Sequence, residues 1–247
     1  MRSSSRILLN SLDPDARLFC DENRVTDPVA RRQLSDFARG IKQIVPWSQF
    51  VCWPMRSAQQ GRNAGTTTVA SFGGLGDNAT LVNGPTWSAD YISLGTSQTF
   101  TAEAISIAAY SAVVVSEAVS SNQSYLLQNT ADDTVVQLRR AAGIGWQLNC
   151  RDANSNAPPI GWTPETSVNG GVWASARNVA ATWPSVIICR SGGSNLDMSP
   201  SVMTTAMTSA TARVAFQAAL SLSLTDHQAE AVRLMYKQTL GVGLTLP

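Results

Sequence analysis

The spacing of apolar residues changes twice along this chain. Leu34, Phe37, Ile41 and Ile44 recur at intervals of three, four and three, which predicts one amphipathic helix ending before Pro46. Asp27 can cap that helix, and Pro28 suits its first position because the missing N–H would be unpaired there anyway. Upstream, Asp13-Pro14-Asp15-Ala16 marks a turn or a helix start within an otherwise polar arm. From Trp47 onward, short runs rich in Val, Ile, Thr and aromatic residues alternate with clusters of Gly, Ser, Asn and Thr. The runs at 67–72, 79–82, 91–94, 100–109, 112–118, 124–128, 134–139, 145–150, 171–176, 185–190 and 212–220 are predicted strands. A short helix closes the chain. Thr225 and Gln228 have the spacing of a reciprocal capping box, Ala229, Val232, Met235 and Tyr236 form its apolar face, and Gly241 is the expected stop.

So many short strands without intervening helices predict a mainly β protein: a two-sheet antiparallel jelly-roll sandwich with an N-terminal helix and a short C-terminal helix. Residues 1–46 are expected to form an arm and helix that serve as an anchor or docking segment, and residues 47–247 the sandwich. A chain of 247 residues fits one large β unit with small additions.

Composition narrows the function. Hydrophobic residues make up 44% and charged residues 14%, enough apolar surface for a core. A net charge of +1 carries no basic footprint, so nucleic acid is not an expected partner. Ile7-Leu8-Leu9 is too short for a signal-peptide core or a membrane span, which predicts synthesis in the cytoplasm and no membrane insertion. Cys20, Cys52, Cys150 and Cys189 stand far apart with no C-x-x-C pair and read as buried thiols, neither a zinc site nor a disulfide framework.

The run from Gly73 through Trp87, followed by Tyr91-Ile92-Ser93-Leu94-Gly95, resembles the opening of laminin-G-like, concanavalin-A-like lectin domains, and Phe216 to Gln228 resembles their end. A narrower likeness lies at the chain ends. Asp13-Pro14-Asp15-Ala16, Val25-Thr26-Asp27-Pro28, the helix into Trp47-Ser48, Trp53-Pro54 and the tail from Tyr236 to Pro247 are similar to bacteriophage virion proteins of this lectin-like class. These segments cover about a third of the chain, and none of them is catalytic. The resemblance implies a virion structural protein made in a bacterial host, tail- or fibre-associated and host-adhesive, with a capsid decoration protein or a glycan-binding lectin module as alternatives. Its implied partners are other virion proteins and a host surface glycan, and a homo-oligomer, a trimer by analogy with phage fibres, is expected.

Glucanases of the lectin-like class need paired carboxylates across the scissile bond, and their E-x-D-x-x-E strand pattern does not occur. Asp132-Asp133 read as turn residues, since neighbours on an extended chain face opposite ways. His227, the single histidine, reads as an exposed helix-start residue, with no nucleophile elbow to serve. Gly73-Gly74-Leu75-Gly76 lacks the Lys-Ser or Lys-Thr of a phosphate loop. No enzyme activity, cofactor or metal is expected. Asp152, Asn154, Asn156 and Asp197 carry oxygen ligands but match no rigid calcium loop. Among Trp146, Trp162, Trp173 and Trp183, Trp146 alternates with Ile144 and Leu148 and is expected to face inward. Trp162, in a proline-rich loop, is the candidate to stack on a sugar or partner, with Asn154 and Asn156 beside it.

Overall fold

The computed structural model describes residues 11–107, 111–116, 123–129, 135–141, 145–151, 160–162, 185–190, 198–207, 211–222 and 224–246, with the backbone alone for 103–107 and for the strands between 123 and 207. Two antiparallel sheets carry a layer of helices on one of them. Asp13 accepts from the backbone N–H groups of Asp15 and Ala16, and Pro14 fills the first position, so helix α1 (Pro14–Glu22) forms where a turn or helix start was expected. Asp27 caps α2 (Pro28–Ile44) in the same way through the Val29 N–H. A short α3 (Ser57–Gln60) follows, and α4 (Asp226–Gln238) starts with the reciprocal Thr225–Gln228 capping box. The protein is thus a mixed structure, more helical than the expected mainly β pattern with one helix at each end.

The strands fall into two sheets. One runs β13 (Ser185–Arg190), β8 (Ser111–Ser116), β15 (Ala212–Leu220), β1 (Phe50–Pro54) and β3 (Phe72–Gly73), with β6 (Ile92–Leu94) also on β15 and β5 (Thr86–Trp87) on β6. The other runs β12 (Ile160–Trp162), β11 (Gly145–Arg151), β10 (Val135–Ala141), β9 (Gln123–Asn129), β14 (Met198–Met207), β7 (Thr99–Ile107), β4 (Ala79–Val82) and β2 (Thr68–Val69). Most strands coincide with the predicted runs to within two residues. β5, β12 and β14 fall outside the predicted runs altogether, and two further differences have local causes. The expected strand at 67–72 is split between the sheets because the Gln60 amide binds both the N–H and the carbonyl of Ala70, and Asn78 accepts from the Ser71 N–H, which takes those groups out of any ladder. β1 was not among the predicted runs: it is only five residues long and ends in Pro54, which reads as a break in a strand. The expected strand at 171–176 lies outside the described residues.

β1 is the hinge of the packing. It pairs with β15 from Phe50↔Leu220 to Pro54↔Phe216, so the first and last described strands lie side by side. Trp53 meets Phe100 of the other sheet edge-on at 5.5 Å. On the opposite face, Phe37 of α2 sits 5.9 Å from Phe50 and 5.8 Å from Phe216, Phe19 of α1 sits 4.9 Å from Phe72, and Tyr236 of α4 sits 4.6 Å from Phe216. One continuous core therefore joins α1, α2 and α4 to the sheet.

Candidate functional site

The two ends of the chain meet around Arg56. Its Nη1 donates to the carbonyls of Leu240 (2.9 Å) and Val242 (2.7 Å), and its Nη2 to Asp90 (2.6 Å). Gln59 adds a bond to the same Leu240 carbonyl, and Gln228 of α4 reaches the carbonyl of Ile44 at the end of α2. The helix α4 ends at Gln238, before the expected stop. Gly241 is required by packing instead, because a Cβ there would fall 2.5 Å from Leu246 and 2.7 Å from the Tyr236 ring. Gly73 has a similar role, since a Cβ would lie 2.3 Å from the Phe50 carbonyl oxygen and its φ of +145° is one that side chains avoid. The glycine run at 73–76 lets the chain cross β1 closely, which explains it without a phosphate.

On the helical side, Lys42 joins Asp13 and Asp15 and lies 5.1 Å from the Trp47 ring centre. Burial disfavours its charge, but the hydrogen bonds to the two aspartates outweigh that and raise its pKa. At the other end of α1, Asn23 and Arg24 close the helix. Arg24 takes a left-handed φ of 53°, with the Val25 N–H bonded back to the Cys20 carbonyl at 2.8 Å, so a bulky side chain stands where glycine is usual. Two adjoining open clefts share Arg24 and Thr26. One continues to Asp27, Ser57 and Arg62, the other to Cys20, Asp21 and Arg31. Arg31 is tied to Asp21 at 2.8 Å and to the Val25 carbonyl at 3.1 Å. A third depression, of mixed polar and apolar lining, lies between α1 and β3, with Phe19, Phe72 and Trp47 beside Asp15, Glu22 and Ser71 and with Leu18 at its edge.

The residues singled out in the sequence are distributed differently. Trp162 belongs to β12, where it pairs with Leu148 at the end of the eight-stranded sheet rather than in a loop. Its side chain, like that of Trp146, is outside the described residues, as are Asp132, Asp133, Asp152, Asn154, Asn156, Trp173, Trp183 and Asp197. His227 is exposed in the first turn of α4, as expected. Cys20 and Cys52 are buried free thiols; burial pushes Cys20 up to about 11 and Cys52 well above the ordinary thiol range. Cys150 and Cys189 lie on described strands without described side chains. Sequence reasoning missed the groove and the arginine-lined clefts. The only available signal was Leu18, an aliphatic residue on the wrong side of a helix whose other apolar positions, Ala16, Phe19 and Cys20, point inward.

No protein-family model matches the chain, and no curated protein sequence matches it. No described helix is long and apolar enough to cross a membrane.

Proposed function

We propose that this protein is a non-enzymatic structural component of a bacteriophage virion, built on a concanavalin-A-like jelly roll and exposed on the particle exterior in association with the tail or its fibres. The observation that supports this reading is where the phage-like phrases fall in the fold. Asp13 and Asp27 are the caps of α1 and α2, and Trp47 stacks on Phe50 at 5.6 Å, next to the Trp53-Pro54 pair of β1. The tail from Thr239 is held by Arg56. Phrases from both ends of the sequence thus contribute to one helical platform on one sheet, while β9 to β12 lie in the other sheet. A platform of this kind suits docking on other virion subunits, where many copies compensate for weak single contacts.

Cryo-electron microscopy of particles carrying the chain tests the reading. Density on the tail or fibres with the eight-stranded sheet outermost is the expected result, and absence of the chain from purified particles refutes it. Density on the capsid lattice would make it a decoration protein. A glycan-binding role has one observation in its favour, the placement of Trp162 on the last described strand of a sheet. It predicts saturable binding on a glycan array that Trp162→Ala removes.

A further inference from the structure

Most arginines of this protein are already engaged. Arg31, Arg32, Arg39, Arg56 and Arg233 each meet a carboxylate, and Arg213 lies over the Tyr91 ring. Among the described side chains, Arg17, Arg24 and Arg62 are the arginines with no such partner. Two of these three, Arg24 and Arg62, line one cleft of about 380 Å³ together with Thr26, Asp27 and Ser57.

A clamp on Asn23 brings the two arginines there. Asn23 closes α1 by donating its side-chain amide to the Phe19 carbonyl. Its own carbonyl accepts from the Arg62 N–H at 2.7 Å, and its side-chain oxygen accepts from Asn63 at 2.8 Å. Gly61 is required where the segments cross, because a Cβ would fall 2.3 Å from the Asn23 carbonyl oxygen. Positions 24 and 62 are therefore held together, and two like charges share a cleft, an unfavourable arrangement until an anion joins them. Arg24 also keeps its left-handed φ of 53° just past a helix end, where glycine is the unstrained residue. An exposed side chain retained at such a position points to use rather than packing.

The lining sets the charge and shape of the ligand. Asp27 is the one carboxylate in the cleft, and it already accepts from the Val29 N–H. Past Thr26 the cleft adjoins a second of about 560 Å³, mainly apolar, lined by Cys20 and Val25 and by the Asp21–Arg31 ion pair. Across both, three arginines stand against two aspartates, which leaves one positive charge in surplus. A single carboxylate matches that surplus, whereas a phosphate dianion would leave negative charge uncompensated beside Asp27. Clefts of this size exceed what a small anion fills and suit an extended segment whose acidic side chain is followed by an aliphatic one.

We propose that the joined clefts between α1, α2 and α3 bind an acidic segment of a partner protein, with an aspartate or glutamate carboxylate between Arg24 and Arg62 and a neighbouring aliphatic side chain beside Val25. The inference rests on the clefts alone, and holds or fails independently of the particle reading.

The test is fluorescence anisotropy of a dye-labelled, end-capped Leu-Glu-Leu-Glu-Leu peptide titrated with the full-length chain at low salt. Saturable binding is expected, and the same peptide with glutamine for glutamate should not bind. Arg24→Gln and Arg62→Gln should each weaken binding about fivefold or more. Arg17→Gln, which removes another exposed arginine without a partner but outside the clefts, should leave binding unchanged. Arg24→Gly separates recognition from folding: binding should be lost while Tm stays level or rises, because glycine relieves the strained φ. Four results overturn the inference: no saturable binding, equal binding of the glutamine peptide, an equal loss in Arg17→Gln, or a clear fall in Tm for Arg24→Gly. Displacement of the peptide by citrate or inorganic phosphate, at matched ionic strength, as readily as by unlabelled peptide overturns it too, and would make the cleft a small-anion site. None of these results bears on where cryo-electron microscopy finds the chain.

Discussion

Arg56→Ala should cost about 2–4 kcal/mol of folding stability, and the figure can be built from its three contacts. A hydrogen bond involving a charged group contributes about 1.5–3 kcal/mol when its partner is left unmade. The Leu240 carbonyl keeps a second donor in Gln59, which lowers the loss there, and Val242 is exposed, so its carbonyl can turn to water. The bond to Asp90 is discounted further: that side chain is 45% exposed, and screened pairs of this kind contribute about 0–1 kcal/mol. What remains is chiefly the pinning of the C-terminal tail, including Leu246 on Gly241, to the strand β1 on which the helices pack. Urea unfolding followed by tryptophan fluorescence measures the loss directly. In a chain of this size the same loss lowers Tm by about 4–16 °C. Arg56→Lys should fall between parent and alanine variant, since an ammonium retains the charge without the planar fork that spans two carbonyls. A change under about 0.5 kcal/mol for Arg56→Ala would refute the idea that this side chain ties the two ends together.

Three further outcomes are expected. The Tyr236 hydroxyl is buried with no hydrogen-bond partner among the described residues, so Tyr236→Phe should be neutral or stabilise the protein by about 1 kcal/mol; a clear loss of stability in urea would show that the hydroxyl is satisfied. Removal of residues 1–46 takes Leu34, Phe37 and Ile41 away from Phe50, Phe72 and Phe216, and the truncated chain should aggregate or bind a hydrophobic dye; a soluble product with a cooperative melt near that of the parent would contradict this. Stability should fall in alkali. The Cys20 and Cys52 thiols and the Tyr236 phenol all have folded pKa values raised by burial, so above the ordinary thiol range near 8.5 the unfolded chain releases protons that the folded chain keeps. Each thiol then removes about 1.4 kcal/mol per pH unit until its folded pKa is reached, and the Lys42 contribution is lost above about 10.4 in the same direction. Chemical denaturation at pH 7, 9 and 10 checks the slope, and a flat profile would refute the burial of these groups.

Much of the local structure could be read without coordinates. Caps are short-range devices: Asp27 with Pro28, and Thr225 with Gln228, act within four residues, and both helices begin where those residues stand. Exposed-face alternation, as in Ala79–Val82, and compact apolar runs such as Ser185–Arg190 likewise announce themselves through neighbours in sequence. A five-residue run that ends in proline does not, which is why Phe50–Pro54 escaped notice although it is the element on which the helices and β15 converge. Nor could spacing alone assign Thr68–Val69 and Phe72–Gly73 to different sheets, because the side chain that divides them, Gln60, comes from a separate helix.

The sequence by itself determined the starts of α2 and α4, most strand positions, the exposed placement of His227 and the burial of Cys20 and Cys52. Local chemistry and periodicity suffice for each of these. Tertiary structure decided the rest. Whether Gly241 ends a helix or admits Leu246 against Tyr236, whether Arg56 faces solvent or two carbonyls some 184 residues away, and whether Leu18 belongs to a core or to an open groove all depend on which surfaces the fold brings together. Contacts between residues remote in sequence leave no periodic trace, because their geometry is set by the packing of whole elements and not by the order of their neighbours.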